Sequence, residues 1–197
     1  MKLTFVALVL LLTMNFCNAQ QNITTMKEFK NTGWQSLNEN VIELIGHEWM
    51  LITAGSVDNG FNMMTASWGG MGWLWEQPVV FIFVRPQRYT HEFTEREEYF
   101  TLTFFESEYK EILRKMGSVS GRTYDKINNS GLTPVATEHS SVAFAEARIV
   151  VECKKIYSTV IKEEGFEDGS TPAKMYPQKD FHTLYVGSIV NVWMKAQ

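Results

Sequence analysis

From Trp49 onward the apolar residues fall in strand-length groups. Trp49 to Ser56 reads as a strand. Val57-Asp58-Asn59-Gly60 follows, and Asn-Gly between apolar runs signals a hairpin, so Phe61 to Trp68 is the returning strand. Pro78 opens Val79-Val80-Phe81-Ile82-Phe83-Val84, a continuous apolar run that suits a strand covered on both faces, and Pro86 stops it. Tyr99 to Phe105 alternates threonines with aromatics and reads as a strand; Ala143 to Ile161 is the longest β-rich stretch, and Thr183 to Met194 the final strand. Helical spacing shows in two places. Thr90 to Arg96 reads as a short helix with Thr90 at its start. Ser107 to Met116 places Tyr109, Ile112, Leu113 and Met116 at helical intervals, with Ser107 able to cap and Gly117 to end it. Gly165 to Thr171 is an acidic, glycine-containing loop. The sum is roughly six strands with two or three short helices, a mainly β fold closing wholly or partly into a barrel.

The first 40 residues follow a different pattern. Lys2 precedes the almost wholly apolar Leu3 to Phe16, and small residues stand at Cys17 and Ala19 before the polar Gln20-Gln21. This is the layout of a secretory signal peptide, residues 1–19, cut after Ala19. The stretch is short for a membrane span, which needs about 20 apolar residues. Lipidation at Cys17 is the lesser alternative, because Asn15 and Phe16 stand where a lipobox wants small residues. Residues 20–40 form a polar arm with scattered apolar positions at Ile23, Met26, Phe29 and Trp34, and residues 41–197 form one domain. The expectation is an exported protein, periplasmic or extracellular.

Removing residues 1–19 leaves 178 of 197 residues and takes Lys2 from the 18 basic residues against 22 acidic, moving the net charge from −4 to −5. That length suits one core, and the acidity argues against a nucleic-acid surface. Cys153 remains as the single cysteine, which excludes an internal disulfide; in its β-rich setting it reads as a buried apolar residue. His47, His91, His139 and His182 show no paired metal spacing, so no metal is expected. There is no Gly-x-Ser-x-Gly elbow and no P-loop. Gly69-Gly70-Met71-Gly72 is no dinucleotide fingerprint, since a strand rather than a helix follows it.

Two segments carry candidate chemistry. Thr65-Ala66-Ser67-Trp68 ends a hairpin strand, where backbone amides and hydroxyls are placed to meet a planar heterocycle; a plain strand followed by a flexible glycine turn accounts for the same composition. Arg85-Pro86-Gln87-Arg88-Tyr89-Thr90 delivers two arginines and a threonine to a helix start, where free amides, the dipole and bidentate guanidinium favour a phosphate. A capped helix with solvated arginines is the bland alternative.

These two segments, with Pro78-Val79-Val80-Phe81 between them and Ser120-Gly121-Arg122 and Asp125-Lys126 after them, resemble in this order the flavin reductase domain, especially its flavoredoxin-like members. The resemblance runs from about Trp49 to Trp193. It implies an FMN-binding split β-barrel, Greek-key-like with short helices, that dimerises with FMN near the subunit interface. It further implies that Thr65, Ala66, Ser67 and Trp68 face the isoalloxazine. Arg85, Arg88, Tyr89 and Thr90 would hold the phosphate and ribityl end. Ser120, Gly121 and Arg122 would form a loop closing on the flavin, assisted by Lys126. Thr123 stands where the family often has an acidic residue. His182 matches a histidine before the last strand and is the remaining candidate; a strand-edge histidine in solvent is the alternative for it.

Three functional readings follow. The first is an FMN-dependent oxidoreductase or electron-transfer protein, the second a non-catalytic module of the same fold holding FMN or another planar ligand, and the third an unrelated β-barrel carrier. The intact arginines favour the first two. Export removes the protein from the cytoplasmic NADH and NADPH pools, so the expected donor is a redox protein or membrane electron carrier. No catalytic residue is assigned, because a flavin carries its own redox chemistry.

Overall fold

The computed structural model describes residues 24–196, and the expected signal peptide and Cys17 lie outside them. The strands are β1 (Thr24–Thr25), β2 (Phe29–Asn31), β3 (Met50–Ser56), β4 (Gly60–Ala66), β5 (Gly69–Leu74), β6 (Gln77–Val84), β7 (Tyr99–Phe104), β8 (Pro134–Ala136), β9 (Val142–Phe144), β10 (Ile149–Val160) and β11 (Thr183–Lys195). The helices are α1 (Val41–Glu43), which continues as a π-turn over Leu44–Glu48, then α2 (Tyr89–Arg96), α3 (Lys110–Ser118), α4 (Lys126–Asn129) and α5 (Ser170–Met175).

One antiparallel sheet dominates, in the order β4-β3-β7-β10-β11-β6-β5, with β2 pairing the end of β11. A small second sheet sets β8 between β1 and β9. Residue alternation along the strands sorts the core into two clusters. Met50, Ile52 and Ala54 of β3, Met64 of β4, Val80, Ile82 and Val84 of β6, Phe100, Leu102 and Phe104 of β7, and Ile149, Val151 and Cys153 of β10 share one interior. Strands from both ends of the sheet thus meet one core, which is the barrel. Leu51, Phe61, Met63 and Val150 point the other way and pack under α3 and β9 through Leu113, Met116, Val142 and Phe144.

Several expectations are corrected. The glycine cluster at Gly69–Gly72 is not a turn; it is most of β5. Its backbone must approach β6 and β3 closely, since a Cβ on Gly69 would stand 2.7 Å from the Phe81 carbonyl oxygen and 3.0 Å from Met50 Cε. The β4 strand ends at Ala66 rather than Trp68. Ser107 caps nothing and starts a single 3-10 turn, while α3 itself runs through Gly117 to Ser118. Ala143 to Ile161 is broken by a turn between β9 and β10, and β11 is the longest strand. The acidic loop gives way at Ser170 to α5, whose first turn is tied by Ser170 and Thr171 to Asp168. The described part of the arm is built into the fold: β2 adds to β11, and Met26 and Phe29 pack on the outer cluster. Cys153 is fully buried, and burial drives its thiol pKa well up.

Candidate functional site

Chain order brings the two candidate segments together at one end of the barrel. The hairpin β3–β4 delivers Thr65 and Ala66 there, and Ser67 and Trp68 follow at the crossing to β5. Strand β6 ends one sheet position from β11, with Val84 paired to Thr183. Arg85 and Arg88 therefore emerge beside His182. A cleft of about 230 Å³ results, lined by Met64, Thr65, Ala66, Ser67, Trp68, Phe83, Arg85, Arg88 and His182. Behind the Thr65–Ser67 ridge lies a second cleft of about 330 Å³, closed by Trp49 and by Leu113, Arg114, Gly117 and Ser118 of α3. Trp49 takes φ 71° and ψ 163°, a region essentially reserved for glycine, which costs on the order of 1–3 kcal/mol. The Lys110 ammonium holds it, 3.4 Å from the indole centroid.

The two arginines have different surroundings. Arg85 forms an ion pair with Asp180, donates from Nη2 to the Met175 carbonyl at 2.8 Å, and lies 5.1 Å from the Tyr176 ring centroid. Gln87 also donates to Asp180. The charge of Arg85 is therefore neutralised inside the protein. Arg88 has no acidic partner among the described residues. Its Nη1 donates to the Gly117 carbonyl at 2.7 Å, while Nη2 is buried without an acceptor. Burial pulls the Arg88 pKa down, yet a guanidinium stays charged.

Lys126 is the second buried cation. It is 3 % exposed, and its ammonium donates to the carbonyls of Met63 and Met116, each at 2.8 Å. Burial first, and the nearby Arg88 charge second, lower its pKa to about 8. Met116 and Gly117 belong to the last turn of α3, so both cations sit at a helix C-terminus, where the dipole favours positive charge. Two carbonyls accept from the Lys126 ammonium, whereas Arg88 Nη2 is left orphaned.

Thr90 does not join the cleft. It is fully buried in the first turn of α2, and its N–H and hydroxyl meet the Asn62 carboxamide oxygen at 3.1 and 2.7 Å. The position before the helix is Arg88, whose side chain makes no cap. Tyr89 turns away to pack edge-on against Phe93 at 5.1 Å. It lines a separate groove of about 520 Å³ with Gly121, Arg122 and the stem of Lys126. Arg122 donates to the Gln87 carbonyl at 2.9 Å, forms an ion pair with Glu92 and lies 5.0 Å from the Tyr89 ring centroid. Ser120 receives the Arg122 N–H at 3.3 Å. Gly121 is required by contact: a Cβ there would come within 2.2 Å of the Asn62 carboxamide and 2.8 Å of Tyr89 Cδ1. The Ser120–Arg122 loop thus braces the start of α2 along this neighbouring groove.

The expected residues accordingly divide. Thr65, Ala66, Ser67, Trp68, Arg85, Arg88 and His182 share the first cleft; Tyr89, Gly121, Arg122 and Lys126 line the neighbouring groove, with the Lys126 ammonium reaching back under α3. Sequence reading missed Phe83, Trp49, Tyr176 and Asp180. Phe83 lay in an apolar run read as covered on both faces, yet it is half-buried at the cleft wall. Tyr176 and Asp180 sit in a segment with no periodic signal, and only contact with Arg85 and His182 marks them. A larger cleft of about 580 Å³, between His47, Phe105 and Arg148, contains none of the expected residues. Among the described residues no cluster of three or more His, Cys, Asp or Glu side chains is placed to hold a metal.

Solved structures of the same fold include flavoredoxin of Desulfovibrio vulgaris (Miyazaki F), with 23% identity, 74% of this chain and 68% of that one covered, and a TM-score of 0.58. An FMN-binding domain of a flavin reductases-like enzyme from Shewanella baltica gives 15% identity, coverage of 85% and 77%, and a TM-score of 0.60. An NADH:FAD oxidoreductase of Streptomyces globisporus gives 19% identity, coverage of 74% and 73%, and a TM-score of 0.54. At such identities the likeness shows the fold. No curated protein matches the chain. The family model for the flavin reductase like domain matches residues 43–197, which span the barrel, the cleft and both buried cations. The chain therefore belongs to the flavin reductase like domain family.

Proposed function

We propose that this protein binds FMN at the first cleft and acts as an exported flavin-dependent oxidoreductase or electron-transfer protein. The observation that carries the reading is the pair of buried cations, Arg88 and Lys126, with no acidic partner and with no acceptor for Arg88 Nη2 among the described residues. A phosphate supplies the missing acceptor and counter-charge. Trp68 and Phe83 give the planar ring an apolar wall, and the Thr65–Ser67 segment offers its polar edge hydrogen-bonding partners. FMN rather than FAD is favoured because Arg88, with its unpartnered Nη2 at the cleft, suits a single terminal phosphate.

The chain's own residues have limited tasks. Arg88 and Lys126 bind and orient the phosphate end, Trp68 and Phe83 exclude water, and Arg85 anchors the segment bearing Tyr176. The flavin, when bound, supplies the electron transfer. Export would remove NADH and NADPH, so a redox protein or membrane carrier is the proposed donor. The uncharged outer edge of β5, with Trp73 exposed on it, supports a homodimer through this face.

The test is an FMN titration of the purified mature protein, followed by absorbance near about 450 nm, a band belonging to any flavin. Saturable binding is expected, tighter for FMN than for riboflavin, which lacks the phosphate. Reduction of the bound flavin should be faster with an artificial low-potential donor than with NADH. Rapid, saturable NADH oxidation would defeat the proposed donor, bound flavin that no donor reduces would leave a binding module, and no flavin binding would sink the reading.

A further inference from the structure

Residues 161–182 leave the sheet between β10 and β11 and return as a compact flap. Its aromatic centre is Phe166, Tyr176 and Phe181, with ring centroids 4.8 to 6.2 Å apart. Arg85 ties this flap to the cleft rim through Asp180, Met175 and the Tyr176 ring. What the flap delivers to the cleft is one hydroxyl. Tyr176 Oη lies 2.9 Å from His182 Nδ1, and both residues are buried.

The His182 ring stands 5.2 Å from Trp68 and 6.4 Å from Phe83, so the three side chains form one wall of the cleft. Nδ1 is taken by Tyr176, and Nε2 has no partner among the described residues. The imidazole is neutral at pH 7: burial first, and the Arg85 charge second, lower its pKa to about 4. The Tyr176 phenol stays protonated, since burial raises its pKa, while the guanidinium over its ring polarises the O–H. Either neutral partner can donate across this contact, and the polarised phenol O–H is the stronger donor, which favours donation from Tyr176 to Nδ1. A neutral imidazole that accepts at Nδ1 carries its proton on Nε2.

We propose that Tyr176 is a positioning residue that fixes His182 as the Nε2–H tautomer, so that His182 donates a hydrogen bond to a ring carbonyl of a planar conjugated ligand lying along Trp68. The inference rests on the reading of this cleft as a flavin site. Two sources supply that carbonyl: the flavin's own ring, or a quinone bound beside it.

The experiment joins a tautomer measurement to two titrations. In nitrogen-15 NMR spectra of the purified protein before FMN is added, His182 should show the Nε2–H tautomer, and Tyr176→Phe should mix the tautomers. Tyr176→Phe should then weaken one ligand by about three- to tenfold, the fold-change of a lost neutral hydrogen bond. Weaker FMN binding assigns the carbonyl to the flavin. Weaker binding of duroquinone to the FMN-loaded protein, with FMN affinity kept, assigns it to a quinone. His182→Gln, which retains a side-chain N–H, should keep more affinity than His182→Leu, and this pair serves if Tyr176→Phe does not fold. An Nδ1–H tautomer in the wild type, or unchanged affinity for both ligands in all variants, overturns the proposal. If the wild type binds no flavin, the cofactor reading fails by itself, and the tautomer and the binding of duroquinone to the flavin-free protein still decide the role of Tyr176.

Discussion

Arg88 and Lys126 place two positive charges under the last turn of α3 with only carbonyl oxygens to face them among the described residues. Arg88→Ala should cost about 1.5–3 kcal/mol of FMN affinity, as for a charge-assisted hydrogen bond, while riboflavin affinity should barely change; paired titrations check this. Lys126 adds a pH dependence. Its folded pKa is lowered from 10.5 to about 8, so the unfolded chain binds more protons between those values. The sign follows: the burial penalty is full below about pH 8 and is relieved as pH rises toward 10.5, so this group's contribution to stability improves across that window. Phosphate binding has the opposite sense, because it needs the charged ammonium. FMN affinity should fall as pH climbs past about 8, and Lys126→Met should flatten that fall in titrations at pH 7 and pH 9. Arg88 was legible in the sequence because Arg-Pro-Gln-Arg stops a buried strand and starts a helix. Its isolation from carboxylates was not legible, since Arg85 in the same motif has one in Asp180, 95 residues away.

The elements around the cleft are held by close approach more than by side-chain bonds. Helix α3 packs on β4 through Gly117, where an added Cβ would stand 3.3 Å from Thr65 Cβ, and Thr65 donates its hydroxyl to the Leu113 carbonyl. The Ser120–Arg122 loop touches the start of α2 through Gly121, with no room for a methyl group. Gly121→Ala should destabilise by about 1–3 kcal/mol, the usual cost of overpacking, and should weaken FMN binding by displacing α2 and Arg88 together. Urea unfolding and an FMN titration on the same variant measure both. An unchanged unfolding midpoint would show that the loop is free to move aside. The sequence showed this loop as Ser-Gly-Arg before a lysine, a brace or a cover alike, and the structure sets it against the start of α2. The same three residues are equally compatible with either role, because only the path of the chain decides which side of α2 they meet.

For the whole molecule, the barrel leaves β5 as a sheet edge that pairs only with β6 among the described residues. Gly69–Leu74 carries no charge, and Trp73 and Trp75 are 63 % and 57 % exposed at the end of the hairpin. An uncharged edge strand invites pairing, and charge is the usual guard against it. The proposed homodimer should therefore dissociate on Trp73→Lys, with the monomer retaining its circular dichroism spectrum. Light scattering across a dilution series checks this, and a wild-type monomer at all concentrations would remove the dimer.

The sequence alone determined the mainly β class, the hairpin at Asn59-Gly60, the buried strand before Arg85 and the burial of Cys153, because alternation, turn residues and proline stops act over a few neighbours. It also held the ordered motifs of the flavin reductase like family. Only the tertiary structure decided which residues share a cleft. It paired Arg85 with Asp180, turned Arg88 onto the Gly117 carbonyl, buried Thr90 against Asn62 and set Tyr176 on His182. The physical reason is range. Backbone preference is local and visible along the chain, whereas charge compensation and hydrogen-bond satisfaction depend on partners that the closing of the barrel brings from far away in sequence.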